Sequence, residues 1–227
     1  MMKSLKRASI AVGIALLGAC ASKPVPPPAS YAVDVVSEPA GAAVSFHGKP
    51  VGTTPFSFNV GSEKDLMDVA ATSADKSVME KRIRFVSQDR AQLTFRFGTD
   101  PSALSKKLGL TKVLVLENSE KISFDSGKSV LKEEGIPVLQ REAAILKTYF
   151  PTVDVFVCGH TDSTGSDSTN LKLSLERARS AAAILSAEGV PKERMKIEGF
   201  GKEFPVDSND TPAGRAANRR TEFVLPQ

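Results

Sequence analysis

The sequence predicts an α+β protein in which a small antiparallel β-domain precedes a larger domain with a mixed sheet. Residues 32–97 contain short runs of β-branched and aromatic residues, separated by turn residues, which is typical of strands. From residue 113 onward, strand-like runs alternate with helical segments in the order βαβαβαβ, which indicates an α+β or α/β sandwich. A hydrophobic content of 41% is enough to build a core.

The β-domain prediction rests on six short runs, whose spacing suggests antiparallel strands. The runs are AVDVV, AAVSF, PFSFNV, DLMDVAA, KRIRFV and AQLTFRF. Residues 98–112 mix glycine and proline with polar residues, so they predict a linker or a short helix.

Three helices and four strands are predicted in residues 113–227. The segment LKEEGIPVLQREAAILKTYF predicts the first helix, which should start near Pro137 because proline is tolerated in the first turn. SLERARSAAAILSAEGV predicts the second helix, capped by Gly189, and AGRAANRR predicts a short third helix. The strands are expected at KISF, VDVFVCG, RMKIEGF and TEFVLP.

The N-terminus predicts an export signal over residues 1–19. Three basic residues precede an apolar stretch from Ala8 to Ala19, which is too short to span a membrane and suits a signal peptide. The segment LLGAC resembles the bacterial lipoprotein lipobox, which implies that Cys20 is diacylated and becomes the mature N-terminus. The alternative is a soluble secretory cleavage site near the same place. Residues 20–31 would form a lipidated, proline-rich tether, extended at ~3.1 Å per residue.

The net charge of +4 is largely a property of this N-terminal segment. Residues 1–19 hold three basic residues and no acidic ones, so 27 basic residues face 26 acidic ones in the mature chain. No Lys/Arg run points to nucleic acid, and we expect no nucleic-acid partner. With Cys20 acylated, Cys158 has no disulfide partner and is expected to be a small buried residue.

The segment GHTDSTG at residues 159–165 holds polar residues that could form a metal, catalytic or recognition loop. An EF-hand starting at Asp162 would need Gly and Glu where Asp167 and Leu173 stand. His160 and Asp162 are too few to hold zinc, and a nucleophile elbow would need glycine in place of Thr161. We therefore predict no metal, no cofactor and no enzyme.

Recognition remains the best interpretation of this loop. Asp162 ends the predicted strand, and Arg177 lies on the following helix, turned back towards the loop. A carboxylate facing a guanidinium suits a zwitterion, since the first takes an ammonium and the second a carboxylate. The alternative is that the two side chains pair with each other. Periodicity predicts an apolar helix face and a separate polar face. The apolar face is Leu171, Leu175, Ala178, Ala182 and Leu185, and the polar face is Asn170, Ser174 and Arg177.

Residues 113–227 resemble the OmpA-like C-terminal domain, which also occurs in peptidoglycan-associated lipoproteins and flagellar stator proteins. The matching motifs include FDSG, GHTDSTG, LSLERA and NRRTE. The resemblance implies non-covalent binding of peptidoglycan through the diaminopimelate of its stem peptide, whose amino-acid head Asp162 and Arg177 would hold. It also implies that five residues line the groove, whereas Asn218 and Arg219 brace the fold or the groove wall. The lining residues are Phe124, Asp125, Thr161, Asn170 and Leu173.

Residues 37–58 are similar to the PEGA domain, a small extracytoplasmic β-module. The match consists of a P-x-G-A motif and a G-x-T-P motif, and the family implies no chemistry. His47 lies beside a turn glycine and is expected to be an exposed turn residue.

Together these features predict a lipoprotein at the periplasmic face of the outer membrane that binds peptidoglycan and so tethers the membrane to the cell wall. Ala21, where a retention signal would have Asp, suggests export to the outer membrane. The alternative is a peptidoglycan-anchoring component of an envelope, secretion or motility complex, in which the β-domain binds a protein partner. A wall hydrolase is a third class, but no acid/base pair or metal set converges.

Overall fold

The computed structural model describes residues 28–118, 124 and 127–227. The predicted signal peptide, the predicted acylation site Cys20, most of the predicted tether and Asp125 lie outside the described residues. In the part that is described, no helix combines the length and the apolar character needed to cross a membrane.

The N-terminal half is a β-module with one short helix. Its elements are β1 Tyr31–Glu38, β2 Ala43–Phe46, β3 Lys49–Thr53, β4 Phe56–Val60, α1 Glu63–Asp68, β5 Val69–Thr72, β6 Ser77–Phe85 and β7 Arg90–Gly98. The strand prediction for the run DLMDVAA is wrong over the first half of the run, because those residues lie in α1. Ser62 caps this helix by accepting a hydrogen bond from the backbone of Asp65, and this local cap outweighs the strand-like pattern.

The C-terminal half alternates helices and strands. Its elements are α2 Ala103–Lys107, β8 Val113–Asn118, α3 Ile136–Tyr149, β9 Val155–Gly159, α4 Asp167–Ala187, β10 Met195–Gly199, α5 Pro212–Asn218 and β11 Thr221–Pro226. Short 3₁₀ turns lie at Glu133–Gly135 and Lys192–Arg194. Pro137 lies in the first turn of α3, and Gly189 follows α4 with a φ of 92°, so both predicted helix boundaries are confirmed.

The structure adds a strand, β8, that the sequence pattern did not predict. β8 covers Val113–Asn118, whereas the predicted strand KISF lies mostly outside the described residues. Its last residue, Phe124, forms an isolated antiparallel bridge with Leu131. The run VLVLE is mostly apolar, which suits the central position of β8 between β11 and β6.

One eight-stranded mixed sheet runs through both halves, which confirms the predicted α+β class with a mixed sheet. Its order is β10-β9-β11-β8-β6-β7-β1-β4, and a second sheet has the order β3-β2-β5. The β-module is not wholly antiparallel, since β1 runs parallel to β7. Strand β6 pairs in parallel with β8, from Glu80 opposite Val113 to Arg84 opposite Glu117. Residues 98–112, which contain α2, therefore connect β7 to β8, two strands of one sheet with β6 between them.

The two faces of the sheet carry separate cores. One apolar cluster extends from Val35 and Leu93 in the β-module to Leu146 and Phe223 in the C-terminal half. The opposite face carries a smaller cluster that includes Leu104 of α2 and Cys158. Cys158 is fully buried, and burial raises the pKa of its thiol well above the usual range, so the predicted small buried residue is confirmed.

Helix α4 lies unusually close to strands β9 and β10 because two glycines face it. A Cβ at Gly159 would lie 2.0 Å from the backbone oxygen of Ser174, and one at Gly199 would lie 2.6 Å from the backbone nitrogen of Leu175. Real Cβ atoms do not approach backbone atoms this closely, so the two glycines set the height of α4 above the sheet.

We expect Gly199→Ala to destabilise the fold by about 1–3 kcal/mol, because α4 must move away from the sheet. Gly159→Ala should cost more, because its clash is with a backbone carbonyl at a shorter distance. Gly98→Ala is the matched control, since its Cβ would meet no atom closer than 3.7 Å. Urea unfolding measures the free energies. Equal stability of the Gly98 and Gly199 variants would contradict this account.

Candidate functional site

The candidate site forms where the chain leaves β9. The backbone of His160 donates to the carbonyl oxygen of Arg220 at 3.0 Å, and the backbone of Thr161 donates to that of Gly201 at 2.9 Å. The side chains of His160, Thr161 and Asp162 are all buried. This end of the strand is therefore held from both sides, and Asp162 projects from a fixed backbone.

Both carboxylate oxygens of Asp162 accept hydrogen bonds. Oδ1 accepts from the backbone nitrogen of Thr164 at 2.9 Å, and Oδ2 accepts from Nη1 of Arg219 at 2.8 Å. Burial raises the pKa of the Asp162 carboxyl, but the bonds from Arg219 and Thr164 outweigh it and leave the pKa below its usual value. Asp162 is therefore ionised at neutral pH.

Arg177 reaches the same place from α4. Its Nε donates to the carbonyl oxygen of Lys128 at 3.1 Å, and its Nη1 donates to that of His160 at 3.4 Å. The guanidinium carbon lies 5.0 Å from the ring centroid of Phe124, which is cation–π distance. Burial lowers the pKa of Arg177 to about 10, with a further lowering by Arg219 that Asp162 opposes. Arg177 thus stays charged at neutral pH.

The close ionic partner of Asp162 is Arg219. The sequence had left open a direct pair between Asp162 and Arg177, whose charges are near enough to affect each other. Arg219, predicted to brace the fold or the groove wall, holds the carboxylate of the site. Its neighbour Asn218 is a brace as expected, since it bonds to the backbone of Val206 and Asp207. The sequence analysis did not assign Arg219 to Asp162. The signal that could have found this pair is that a buried carboxylate needs a cation nearby.

The other predicted lining residues differ in their surroundings. Asn170 is buried and donates to the carbonyl oxygen of Thr164 at 3.0 Å, so it closes the loop. Thr161 and Phe124 are buried beside Asp162 and Arg177, and Leu173 is partly exposed. Asp125 lies outside the described residues.

The prediction of an apolar face on α4 is wrong at the first residue of that face, Leu171. Leu171 is 54% exposed, whereas the predicted polar face, including Ser174 and Arg177, is buried. The polar face packs against the strand ends because Ser174 Oγ accepts from the backbone of Gly201 at 2.8 Å. Buried apolar residues take over only from Ala178 onward.

The start of α4 is fixed by a local cap. Ser166 is the N-cap, and its side chain accepts from the backbone nitrogen of Thr169 at 3.2 Å. Gly165 precedes it with a φ of 92°, a conformation that favours glycine. The cap fixes where the helix begins and therefore which residue, Arg177, lies opposite the loop.

Within the described ranges, one group of side chains could hold a metal ion, and it lies far along the chain from this loop. His47 Nε2 is 3.3 Å from Asp65, and its Nδ1 is 3.6 Å from Asp68. The two ring nitrogens of His47 face different carboxylates. The arrangement therefore suits pairing of the histidine with two acids better than binding of one metal ion. The side chain of His47 is 54% exposed at a turn, as predicted.

Comparison with known proteins finds a family match in the C-terminal half. Residues 123–219 match the OmpA family. The C-terminal half carries an OmpA-family domain. The chain is 40% identical over 112 residues to "Probable lipoprotein YiaD" of Escherichia coli, across 49% of this chain and 51% of that protein. It is 32% identical over 176 residues to "Peptidoglycan-binding protein ArfA" of Mycobacterium tuberculosis, across 77% of this chain and 50% of that protein.

Among solved structures, the chain is similar to the crystal structure of the peptidoglycan-associated lipoprotein from Burkholderia pseudomallei. The identity is 32% and the TM-score 0.42, over 47% of this chain and 88% of that one. The chain spans about half the length of the curated relatives it matches. The relatives of the OmpA-family segment are binding or structural proteins, not enzymes. The PEGA resemblance stays a prediction.

The lowered pKa of Asp162 makes a prediction about acid stability. A carboxyl whose pKa is lower in the folded state stabilises the fold above its unfolded pKa, and this contribution disappears as the pH falls through the folded pKa. Asp162→Asn should therefore destabilise the protein at pH 7 and much less at about pH 2 to 3. Urea unfolding at both values is the measurement. Asp154→Asn, at an exposed pair with Lys196, is the control. A pH-independent Asp162 effect would contradict the assignment.

Proposed function

We propose that the C-terminal half binds peptidoglycan non-covalently through the diaminopimelate of its stem peptide. The observation that carries the proposal is the placement of Asp162 and Arg177 at one end of the sheet. Asp162 is held by the backbone of Thr164 and by Arg219, and Arg177 is held by the carbonyl oxygens of Lys128 and His160. The family match and a relative named as a peptidoglycan-binding protein support it.

The charges of the site suit the free amino-acid head of diaminopimelate. The head carries an ammonium and a carboxylate on one carbon. Asp162 is an ionised acceptor for the ammonium, because each carboxylate oxygen has a second lone pair beyond the bond it already accepts. Arg177 and Arg219 supply positive charge for the carboxylate, and a guanidinium matches its planar shape.

Rigidity of the site supports tight recognition of such a small group. Arg177 is 1% exposed, and its guanidinium is fixed by two carbonyl oxygens and the ring of Phe124. Asp162 is fixed by Arg219 and by the backbone of Thr164. A ligand therefore meets charges that are already oriented, so little conformational entropy is lost on binding.

The proposal for the whole chain is a lipid-anchored tether at the periplasmic face of the outer membrane. Acyl chains on Cys20 would hold the membrane, the proline-rich residues 21–30 would span roughly 30 to 40 Å with the anchor, and the C-terminal half would hold the wall. The relative named as a lipoprotein and the short apolar N-terminal stretch support the anchor.

Co-sedimentation with purified sacculi tests the binding site. Asp162→Asn and Arg177→Met should each abolish sedimentation with a diaminopimelate-containing wall, because each removes one charge of the pair that holds the ligand head. Two matched control positions lie on α4. Arg179→Met removes an exposed arginine and Asp167→Asn an exposed aspartate, and both should sediment as the wild type does. Circular dichroism should show that all four variants are folded. Wild-type sedimentation of both site variants would refute the site.

Walls that contain lysine in place of diaminopimelate provide a second test. Lysine has the ammonium but lacks the carboxylate that Arg177 and Arg219 would bind. Loss of a hydrogen bond to a charged group costs about 1.5–3 kcal/mol, which corresponds to roughly tenfold to hundredfold weaker binding. The measurement is the dissociation constant for stem peptides that differ only at this residue. Equal affinities would show that the ligand carboxylate is not recognised.

A further inference from the structure

A buried network of charges joins the β-module to the C-terminal half. Arg82 on β6 donates from Nη1 to Glu117 on β8 at 2.7 Å and to Glu222 on β11 at 2.6 Å. Its Nε and Nη2 donate to Glu80 at 3.2 and 2.8 Å. One arginine from the β-module therefore binds carboxylates on two strands of the other half.

Glu222 is the centre of this network. It is fully buried, and its Oε1 accepts from both Arg82 and Nε of Arg220, the latter at 2.8 Å. Its Oε2 lies 3.6 Å from Nε2 of His160, which is too long for a hydrogen bond. His160 is also fully buried, with its ring stacked 5.7 Å from that of Phe200.

The network is balanced in charge only when Arg82 is present. Arg84 lies 4.0 Å from Glu117, so three arginines face three glutamates. Without Arg82, a carboxylate is left buried with too few cations. Removal of one member of a buried ion pair generally destabilises its surroundings, because the remaining charge is not compensated.

The same residues also build the candidate site. The carbonyl oxygen of His160 accepts from Arg177, and its backbone nitrogen donates to the carbonyl oxygen of Arg220. Arg219, next in the chain to Arg220, holds Asp162. A shift of Glu222 therefore moves Arg220 and His160, to which both halves of the site are attached.

We propose that Arg82 is a positioning residue for the Asp162–Arg177 site. It fixes Glu222, and through Glu222 it fixes the backbone that orients both site side chains. The β-module is thus a structural part of the ligand site. This inference rests on the proposed function for its binding readout, and on the geometry alone for its readout in the free protein.

The test compares full-length variants in their affinity for a soluble stem peptide that ends in diaminopimelate. Arg82→Met keeps a flexible, unbranched apolar side chain and removes the charge, and we expect binding about fivefold to tenfold weaker. Arg90→Met is the matched control, because Arg90 pairs with Asp34 on the exposed surface of the same module. The double variant Arg82→Met/Glu222→Gln restores charge balance and should recover part of the affinity.

Nuclear magnetic resonance of the free proteins distinguishes positioning from a general loss of stability. Burial lowers the pKa of His160, and the positive charges of Arg220 and Arg82 lower it further, while Glu222 raises it. In Arg82→Met the pKa of the His160 ring should therefore rise. The backbone amide signals of residues 160–162 should shift in this variant and stay in place in Arg90→Met.

The possible outcomes separate the two proposals. If the wild type fails to bind the peptide but Arg82→Met shifts the amides of residues 160–162, the proposed ligand is wrong and the positioning role stands. If the wild type binds and Arg82→Met binds equally with unshifted amides, the positioning role is refuted. Should Arg82→Met not fold, Arg82→Gln carries the test, since it removes the charge but keeps a hydrogen-bond donor. Wild-type affinity and spectra in that variant would equally refute the inference.

Discussion

The close approach of α4 to the sheet is the constraint on which the rest of the structure depends. Gly159 and Gly199 leave no side chain between the strands and the backbone of the helix at Ser174 and Leu175. The helix therefore lies low enough for Arg177 to reach the carbonyl oxygen at the end of β9. A bulkier residue at either glycine would lift the helix and draw the guanidinium away from Asp162.

The site places several charges where water is largely excluded, and each is compensated by fixed dipoles or opposite charge. Arg177 lies against carbonyl oxygens and an aromatic face, and Asp162 against an amide and Arg219. Such an arrangement costs desolvation energy in the absence of ligand. In return the charges are oriented in advance, which is the property that recognition of a small zwitterion requires.

The continuity of the eight-stranded sheet changes the role of the N-terminal half. A module joined by a flexible linker would act as a spacer, whereas β6 pairs with β8 and shares an apolar core with it. Because Arg82 crosses this junction to reach Glu117 and Glu222, the charges of the two halves depend on each other.

The sequence by itself determined the elements whose signals are local. Apolar periodicity, Pro137 and Gly189 located α3 and the end of α4, and the motif residues Asp162 and Arg177 marked the candidate site. Only the tertiary structure decided that Arg219 is the partner of Asp162, that Leu171 faces solvent, and that one sheet joins both halves. Local patterns depend on neighbours within a few residues, whereas strand order and ion pairs join residues far apart in the chain, and their choice depends on packing of the whole molecule.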